Sequence, residues 1–439
     1  MIIAGDCLDA LRAMPSESVD AVVTDPPYGL GKPPPVDVVL RAWVGGERYQ
    51  ARGGGFMGRE WDAFVPGPEV WREVCRVLKP GGHAVIFAGT RTVDWMGIAV
   101  RLGGLEIRDC IGWIYYSGFP KSLDVSKAID AAAGAEREVI GALGRSGSGR
   151  MDGWGLAQGG DYFATAPATP DARRWSGWGT ALKPAIEPAI LARKPFAATV
   201  AENVLRHGTG AINVDGCRFA PGDLAWVGPD EDPGVPQSSP GQRAGVVGRA
   251  WQSVSDDKRN HAAQAASIER LRLMGRWPAN LYACPKAPRA ERERGCDGLP
   301  ERTGAEAVDR EPGSAGMQSP RAGAARKADA VRNYHPTVKP IRLMRWLCRL
   351  VTPPGGLVLD PFAGSGSTGV AAVLEGFAFT GCELDPGHVA IAEARIGHAS
   401  RHPEEWVDTA PGVRRKPRKV KIKRKAAARV AQLSIFGER

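Results

Sequence analysis

The sequence predicts an α/β fold, doubly wound around a mostly parallel sheet, with an inserted middle segment separating its two pieces. Three observations carry this expectation. Short apolar strands alternate with helices from residue 1 to about 118, and the alternation resumes at about 335. Between them the periodicity fades into Gly, Pro, Arg and Trp. Strands that alternate with helices argue for a parallel sheet with helices on its faces, so the two pieces read as halves of one sheet.

The elements follow in order. "MIIAGD" reads as a strand and "CLDALRAM" as a helix stopped by Pro15. "VDAVVTD" reads as a buried strand. A long Gly-rich insertion beginning "YGLGKPPP" follows it, in a position where lids often form. "PEVWREVCRVLKPGG" has helical apolar spacing and a closing glycine, and "HAVIFAG" is again a strand. In the middle, "RRWSGWGTALKP" and "GRWPANLYACP" show little periodicity, and "GLPERTGAEAVDREPGSAGMQSPRAGAARKAD" reads as disordered. Then "PIRLMRWLCRLVTPPGG" is a helix, "LVLD" a strand, "PFAGSGS" a tight loop and "TGVAAVLEG" a helix. "FAFTGCELD" and "HVAIAEARI" complete a βαβ unit. The expected divisions are 1–118, 119–330, 331–400 and 401–439.

With 439 residues the chain has room for two or three domains with proper cores. A composition of 43% hydrophobic and 24% charged residues is globular, and 56 Gly with 35 Pro point to long loops. No stretch approaches a membrane span, and no secretion signal is visible, so the expected location is cytoplasmic. The eight cysteines include no CxxC pair, which predicts reduced, mostly buried thiols and no metal site. Residues 411–429 hold ten Lys and Arg and no acid. Taking those ten from the chain's 58 basic residues leaves 48, equal to its 48 Asp and Glu, so the net charge of +10 resides in this tail. Such a run is a solvated segment that either solubilises the chain or meets a polyanion such as DNA.

Two stretches carry chemistry. In "VDAVVTDPPYGL" an apolar strand ends in Asp25, Pro26, Pro27 and Tyr28. The prolines cannot donate backbone hydrogen bonds and stiffen the chain around an acid and an aromatic ring. In "LVLDPFAGSGSTG", Gly364, Gly366 and Gly369 sit between a strand and a helix, where a ligand can approach backbone and helix N-terminus. Glu383 ends the next strand, placed to accept both hydroxyls of a ribose. A dinucleotide enzyme fits this loop nearly as well, although no GK[ST] makes it a Walker loop. Asp360 adds an acid suited to a cofactor with an ammonium group. S-Adenosylmethionine has an ammonium, a ribose and an adenine, and no pyrophosphate.

Together, "DPPY" at 25–28 and "DPFAGSGST" at 360–368 resemble the amino-directed DNA methyltransferases. The order, with the catalytic motif first and the cofactor motif last, resembles their β group, which is circularly permuted with target recognition in the middle. "SGFPKSLDVSKAID", "WGTALKPAIEPAILARKPF" and "GRWPANL" resemble site-specific methylases common in phages and prophages. The resemblance implies a Rossmann-like methyltransferase sheet and methyl transfer from S-adenosylmethionine to adenine N6 of double-stranded DNA, or to cytosine N4. Asp25 favours adenine, since the cytosine enzymes more often carry Ser there. It implies that Asp25 and the Pro26 carbonyl accept the target amine's N–H groups, that Pro27 holds the turn open, and that Tyr28 stacks on a flipped base. The cofactor would be held by Phe362, Ala363, Gly364, Ser365, Gly366, Ser367 and Thr368 with Asp360, Glu383 and Asp385. Asp6 and the Cys7 backbone would read its adenine, Asp6 being equally placed to cap a helix. Lys339 of "HPTVKP" would meet its carboxylate, with His335 mainly structural. In "FMGREWD" at 56–62, Phe56 and Trp61 would pack on a lid or form a local core. The resemblance also suggests a homodimer.

Two further readings stand beside it. A nicotinamide oxidoreductase would explain the glycine loop and leave "DPPY" idle, and intact Asp25 and Tyr28 argue against a DNA-binding protein without catalysis. "ENV" at 202–204 is shared with cytosine carbon-5 methyltransferases, yet the Pro-Cys nucleophile is missing, since the chain has only Cys284-Pro285. Finally, Gln432, Leu433, Ser434, Ile435 and Phe436 resemble the peptide that docks on the bacterial sliding clamp.

Overall fold

The computed structural model describes residues 1–51, 62–115, 118, 122–145, 161–220, 223, 225, 275–303, 306 and 330–406. Phe56 and Trp61, the basic tail, the clamp-like peptide 432–436 and most of the stretch expected to be disordered lie outside these residues.

The sheet explains how two distant pieces of sequence make one fold. Its strands are β1 (Ile2–Ala4), β2 (Val19–Thr24), β3 (Leu78–Phe87), β4 (Glu106–Ile114), β7 (Ile186–Arg193), β8 (Leu281–Ala283), β9 (Leu357–Asp360) and β10 (Ala378–Glu383), while β5 (Val139–Arg145) and β6 (Asp161–Thr165) form a separate hairpin. The spatial order is β1-β10-β9-β2-β3-β7-β4-β8. β9 and β10 are thus inserted between β1 and β2, with Ile2 beside Gly381 and Ala21 beside Val358. All neighbours run parallel except β7, which is antiparallel to both β3 and β4. The doubly wound, mostly parallel sheet expected from the sequence is present.

Central strands are buried on both faces, and all six residues of β2 are buried, including Asp20, which is paired with Lys79 and the Leu357 amide. Alternate residues serve opposite cores. Ala21, Val23, Val85 and Phe87 pack with the helix Ile341–Val351 and with Ala371 and Ala372. Val22, Ala84 and Ile86 pack on the other face with Leu11, Trp43, Trp71, Val74 and Met96 from four N-terminal helices. Expected and observed helices agree at Cys7–Ala13, Pro68–Val77, Ile341–Val351, Ser367–Leu374 and Pro386–Arg401.

The middle segment departs from its loop-like reading. Residues 186–193, whose pattern is broken by Pro188, form β7 inside the main sheet, where Ala189, Ile190, Leu191 and Ala192 are buried. The helix Val200–His207 that follows contains the "ENV" tripeptide. There Glu202 completes a capping box with Thr199, and Asn203 donates to the Pro80 and Thr209 carbonyls at 2.9 and 2.7 Å. That tripeptide is structural. Farther out, Asp130 is fully buried and accepts from Arg137, the Ala168 and Thr169 amides and the Thr169 hydroxyl, tying the hairpin region to its helices. The eight cysteines are all free thiols, five of them buried. No described helix is long and apolar enough to cross a membrane.

Candidate active site

From β2 the chain moves toward β3, and from β9 it moves toward β10. Where neighbouring strands lead away in opposite directions, a crevice opens beyond their carboxyl ends. Asp25 follows β2 and Pro361 follows β9, so both motifs reach this crevice. A cleft of ≈ 1450 Å³ there is lined by Asp6, Cys7, the Asp25–Tyr28 turn, Glu187, Lys339, most of the glycine loop and Glu383. The two motifs are also fastened directly, Thr24 Oγ1 donating to Asp360 Oδ1 at 2.6 Å.

The turn after β2 is held by residues that the sequence did not single out. Buried Asp62, the last residue of "FMGREWD", accepts from the amides of Tyr28 at 2.9 Å and Gly29 at 3.0 Å. Thr92 donates through its hydroxyl to the Tyr28 carbonyl at 2.6 Å. Asp62→Ala removes the acceptor of two amides, each costing roughly 1–3 kcal/mol when left unmade. Amide exchange at Tyr28 and Gly29 is expected to accelerate by about tenfold or more, read by hydrogen–deuterium exchange.

Within the turn, Asp25 Oδ2 accepts from the Lys339 ammonium. Asp25 Oδ1 is buried and has no hydrogen-bond partner among the described residues. Burial raises the Asp25 carboxyl above its ordinary value, and the neighbouring Lys339 charge offsets this in part. The Tyr28 hydroxyl donates to Glu187 Oε2 at 3.2 Å, and burial beside two acids keeps that phenol well above its usual range.

Lys339 is only 4% exposed. Its Nζ lies 3.2 Å from Tyr28 Oη, 3.4 Å from Glu187 Oε2, and within 6 Å of the Tyr28, Phe87 and Trp113 ring centres. Burial alone would pull this ammonium down, but Asp25 and Glu187 hold it above its ordinary value. Lys339 lines the cleft, as the expected role at a cofactor carboxylate requires. The Lys339 charge is engaged by two resident acids, with which any ligand carboxylate would have to compete.

The glycine loop needs its glycines for geometry. Gly364 and Gly366 have φ of +53° and +75°, in the left-handed region. A Cβ on Gly364 would stand 2.7 Å from His335 Nε2, so that histidine packs the loop from outside, and burial keeps it well below its usual basicity. Gly366 does not line the cleft. It abuts Ala392, whose Cα would lie 2.9 Å from an added Cβ. Several loop side chains expected at a ligand are turned inward instead. Asp360 is 2% exposed, and its oxygens accept from the Thr24 and Thr368 hydroxyls and the Phe362 amide. Burial raises it to about 6 despite these bonds. It acts as a fastener between β2 and the loop, not as a free acid for an ammonium. Ser365 and Ser367 are buried against Arg395, which donates to the Ser365 carbonyl at 2.6 Å and to both hydroxyls. Arg395, fully buried behind the loop, was not visible from spacing alone.

Residues at the strand ends keep capacity for a ligand. Glu383 Oε2 accepts from the Gly364 amide at 2.7 Å and Oε1 from the Asp385 amide at 2.9 Å, leaving each oxygen a further lone pair. Ala363 donates its amide to the Cys382 carbonyl, setting the loop on β10. Asp6 caps its helix by accepting from Leu8 and Asp9, and Asp385 caps the helix Pro386–Arg401, while both border the cleft. Burial pushes the Cys7 thiol up to about 12, so it stays neutral.

Comparison with known proteins matches residues 19–133 and 240–394 to N6_N4_Mtase, a DNA methylase family. The DNA adenine methyltransferase YhdJ of Escherichia coli (strain K12) is 38% identical over 71 residues, 16% of this chain and 24% of that protein. YubD of the same organism is 41% identical over 68 residues, 16% of this chain and 30% of its own length. The chain thus spans between about a quarter and a third of these curated relatives. Among solved structures, TTHA0409 from Thermus thermophilus, crystallised with S-adenosyl-L-methionine, is 16% identical with a TM-score of 0.38, covering 91% of this chain and 95% of that one. The cytosine-N4-specific PvuII DNA methyltransferase is 15% identical with a TM-score of 0.39, covering 90% and 85%. Since the family match takes in more than half of the sequence and both motif-bearing pieces, the chain belongs to the N6_N4_Mtase family of DNA methylases.

Proposed function

We propose that this protein transfers a methyl group from S-adenosylmethionine to the N6 amine of adenine at a specific site in duplex DNA, with the target base turned out of the helix. The observation that carries the reading is Asp25 Oδ1, a buried acceptor without a partner, one strand away from the glycine loop and in the same cleft.

An exocyclic amine is a weak nucleophile because its lone pair is delocalised into the ring. Asp25 Oδ1 and the Pro26 carbonyl accept its two N–H bonds and favour the pyramidal nitrogen needed for attack. Lys339 keeps Asp25 in its accepting, ionised form from the opposite oxygen. Asp62 and Thr92 hold the turn so that little reorganisation is needed when the base arrives. Tyr28 borders the same cleft and offers a ring for stacking. The cradle fits a cofactor of the expected kind: two left-handed glycines, Glu383 with spare acceptor capacity on each oxygen, and Asp6 at the cleft edge. When bound, S-adenosylmethionine supplies an electrophilic methyl on a sulfonium. Asp25, as against Ser, supports adenine over cytosine.

Nucleoside mass spectrometry of unmethylated plasmid DNA, incubated with the protein and S-adenosylmethionine, tests the reading. N6-methyladenine is the expected product. N4-methylcytosine would retain the site chemistry and overturn the choice of base. No methylated base, from protein shown to bind the cofactor, would overturn the reaction.

A further inference from the structure

Glu187 is the second carboxylate that meets Lys339 in the cleft. It stands near the start of β7, 159 residues from Tyr28, just before the buried sheet-core stretch Pro188 to Ala192. Its Oε2 accepts from the Tyr28 hydroxyl at 3.2 Å and lies 3.4 Å from Lys339 Nζ. Its Oε1 lies 3.6 Å from Lys286 Nζ, at the half-exposed rim. Lys339 is therefore shared between two acids, and its side chain is 5% exposed. A strand buried among Ala, Ile and Leu gains no core stability from such a residue, since burying a carboxylate costs free energy unless it is paired.

The charge balance shows what Glu187 changes. Asp25 and Lys339 alone would be a neutral pair, with the ammonium free to swing across both oxygens of Asp25. With Glu187 present, the ammonium is drawn to the side of Oδ2 and Tyr28, and Oδ1 is left without a hydrogen-bond partner among the described residues. Lys286 meets the other oxygen of Glu187 at the rim, so the second acid is itself balanced and Lys339 is left to Asp25 Oδ2. In methyl transfer to an amine, positive charge develops on the attacking nitrogen as the N–C bond forms and the C–S bond breaks. The N–H proton then leaves to solvent, so the balance needs no further reactant.

We propose that Glu187 is a positioning residue for this reaction, holding the Lys339 ammonium on one oxygen of Asp25 so that the other is left for the target amine. The inference rests on the amine-methylation reading above, and its test is separable from that reading. Groups facing Asp25 are Lys339 before the helix Ile341–Val351, Glu187 on β7, Tyr28 on its own turn and Asp360 on β9, with Lys286 at the rim and His335 beyond Lys339.

The signs of the expected effects differ between the two neighbours. Glu187's charge raises the Asp25 carboxyl and Lys339's lowers it. Glu187→Gln keeps the shape and removes the acid, so Asp25 is expected to titrate at lower pH than in the wild type. Lys339→Met is expected to move it to higher pH. The primary readout is carboxyl ¹³C NMR titration of the full chain labelled at aspartate, with the Asp25 signal assigned by its loss in Asp25→Asn. It needs no activity, cofactor or DNA. An Asp25 midpoint that does not fall in Glu187→Gln overturns the proposal even if wild-type protein methylates DNA. If the midpoints move as expected and no methylated base forms, the charge arrangement stands and the reaction assigned to it fails. With an active wild type, Glu187→Gln is further expected to lower kcat about tenfold, with KM for DNA and cofactor within about threefold. Glu187→Asp, which restores the charge on a shorter arm, should recover the midpoint more fully than the rate, and loss of kcat without any midpoint change would mark a merely structural role.

Discussion

Asp25→Ala is expected to reduce methyl transfer by about a thousandfold or more, while cofactor affinity stays within about threefold of wild type. The side chain supplies a buried acceptor that has no hydrogen-bond partner among the described residues, and no other described residue shares its place at the end of β2. Its neighbours do not collapse when it is removed, because Asp62 and Thr92 hold the turn through backbone groups of Tyr28 and Gly29. Lys339 keeps Glu187 as a partner. Single-turnover transfer of a labelled methyl group measures the rate, and titration calorimetry with S-adenosylmethionine measures binding. A variant that retains a tenth of the rate would remove Asp25 from the acceptor role. In the wild type the acid limb follows from the raised carboxyl: the rate is expected to fall as pH drops through the Asp25 value, which lies above that of an ordinary aspartate. Protonation takes away the acceptor that the amine needs.

Gly366→Ala is expected to produce the largest loss of stability of any single methyl group added to the glycine loop. Two costs combine. A residue with a Cβ pays about 1–2 kcal/mol to hold a left-handed φ, and Gly366 sits at +75°. Its Cβ would also fall 2.9 Å from the Cα and 3.1 Å from the carbonyl oxygen of Ala392, which is helix backbone and cannot swing aside. Overpacking of this kind costs roughly a further 1–3 kcal/mol. Gly376→Ala separates the two terms, because Gly376 has φ +80° and nothing within 4 Å of an added Cβ. Differential scanning calorimetry should show a drop of several degrees for Gly366→Ala and a clearly smaller one for Gly376→Ala. Equal drops would mean that the contact with Ala392 is unimportant. Because Gly366 faces away from the cleft, cofactor affinity should fall in parallel with loop stability and not by direct obstruction.

What could be read from the sequence was whatever a short window contains. "VDAVVTD" and "LVLD" announce strands by consecutive apolar residues, Ala21 to Val23 and Leu357 to Leu359, since a strand covered on both faces need not alternate with polar positions. "PIRLMRWLCRLV" announces a helix because nearly every apolar residue falls on the face that meets the sheet. The Asp25–Tyr28 and Gly364 motifs are equally local. β7 was hidden because Pro188 interrupts it and its neighbours are Gly- and Trp-rich, so that only pairing with β3 and β4 establishes it as a strand. Glu187 and Asp62 were hidden for a related reason: their partners lie 159 and 34 residues away, and only the sheet order brings them to the turn. The opposite error concerned Asp360. Its position at a strand end is visible in sequence, but the direction of its carboxylate is not, and Thr24, from the other end of the chain, turns it inward.

The interleaved strand order also sets a timetable. During synthesis β2 emerges early, but its neighbour β9 pairs Leu359 with Val22, and β1 waits for Gly381. At about 5–20 residues per second, the ribosome needs roughly 20 to 70 seconds to deliver them. Throughout that interval one edge of β2 presents unsatisfied amides and carbonyls, the kind of edge that recruits strands from other nascent chains. The first-made half is thus a natural client for chaperones that hold rather than fold. A ribosome that stops in the middle segment releases a sheet without the two strands that join β1 to β2.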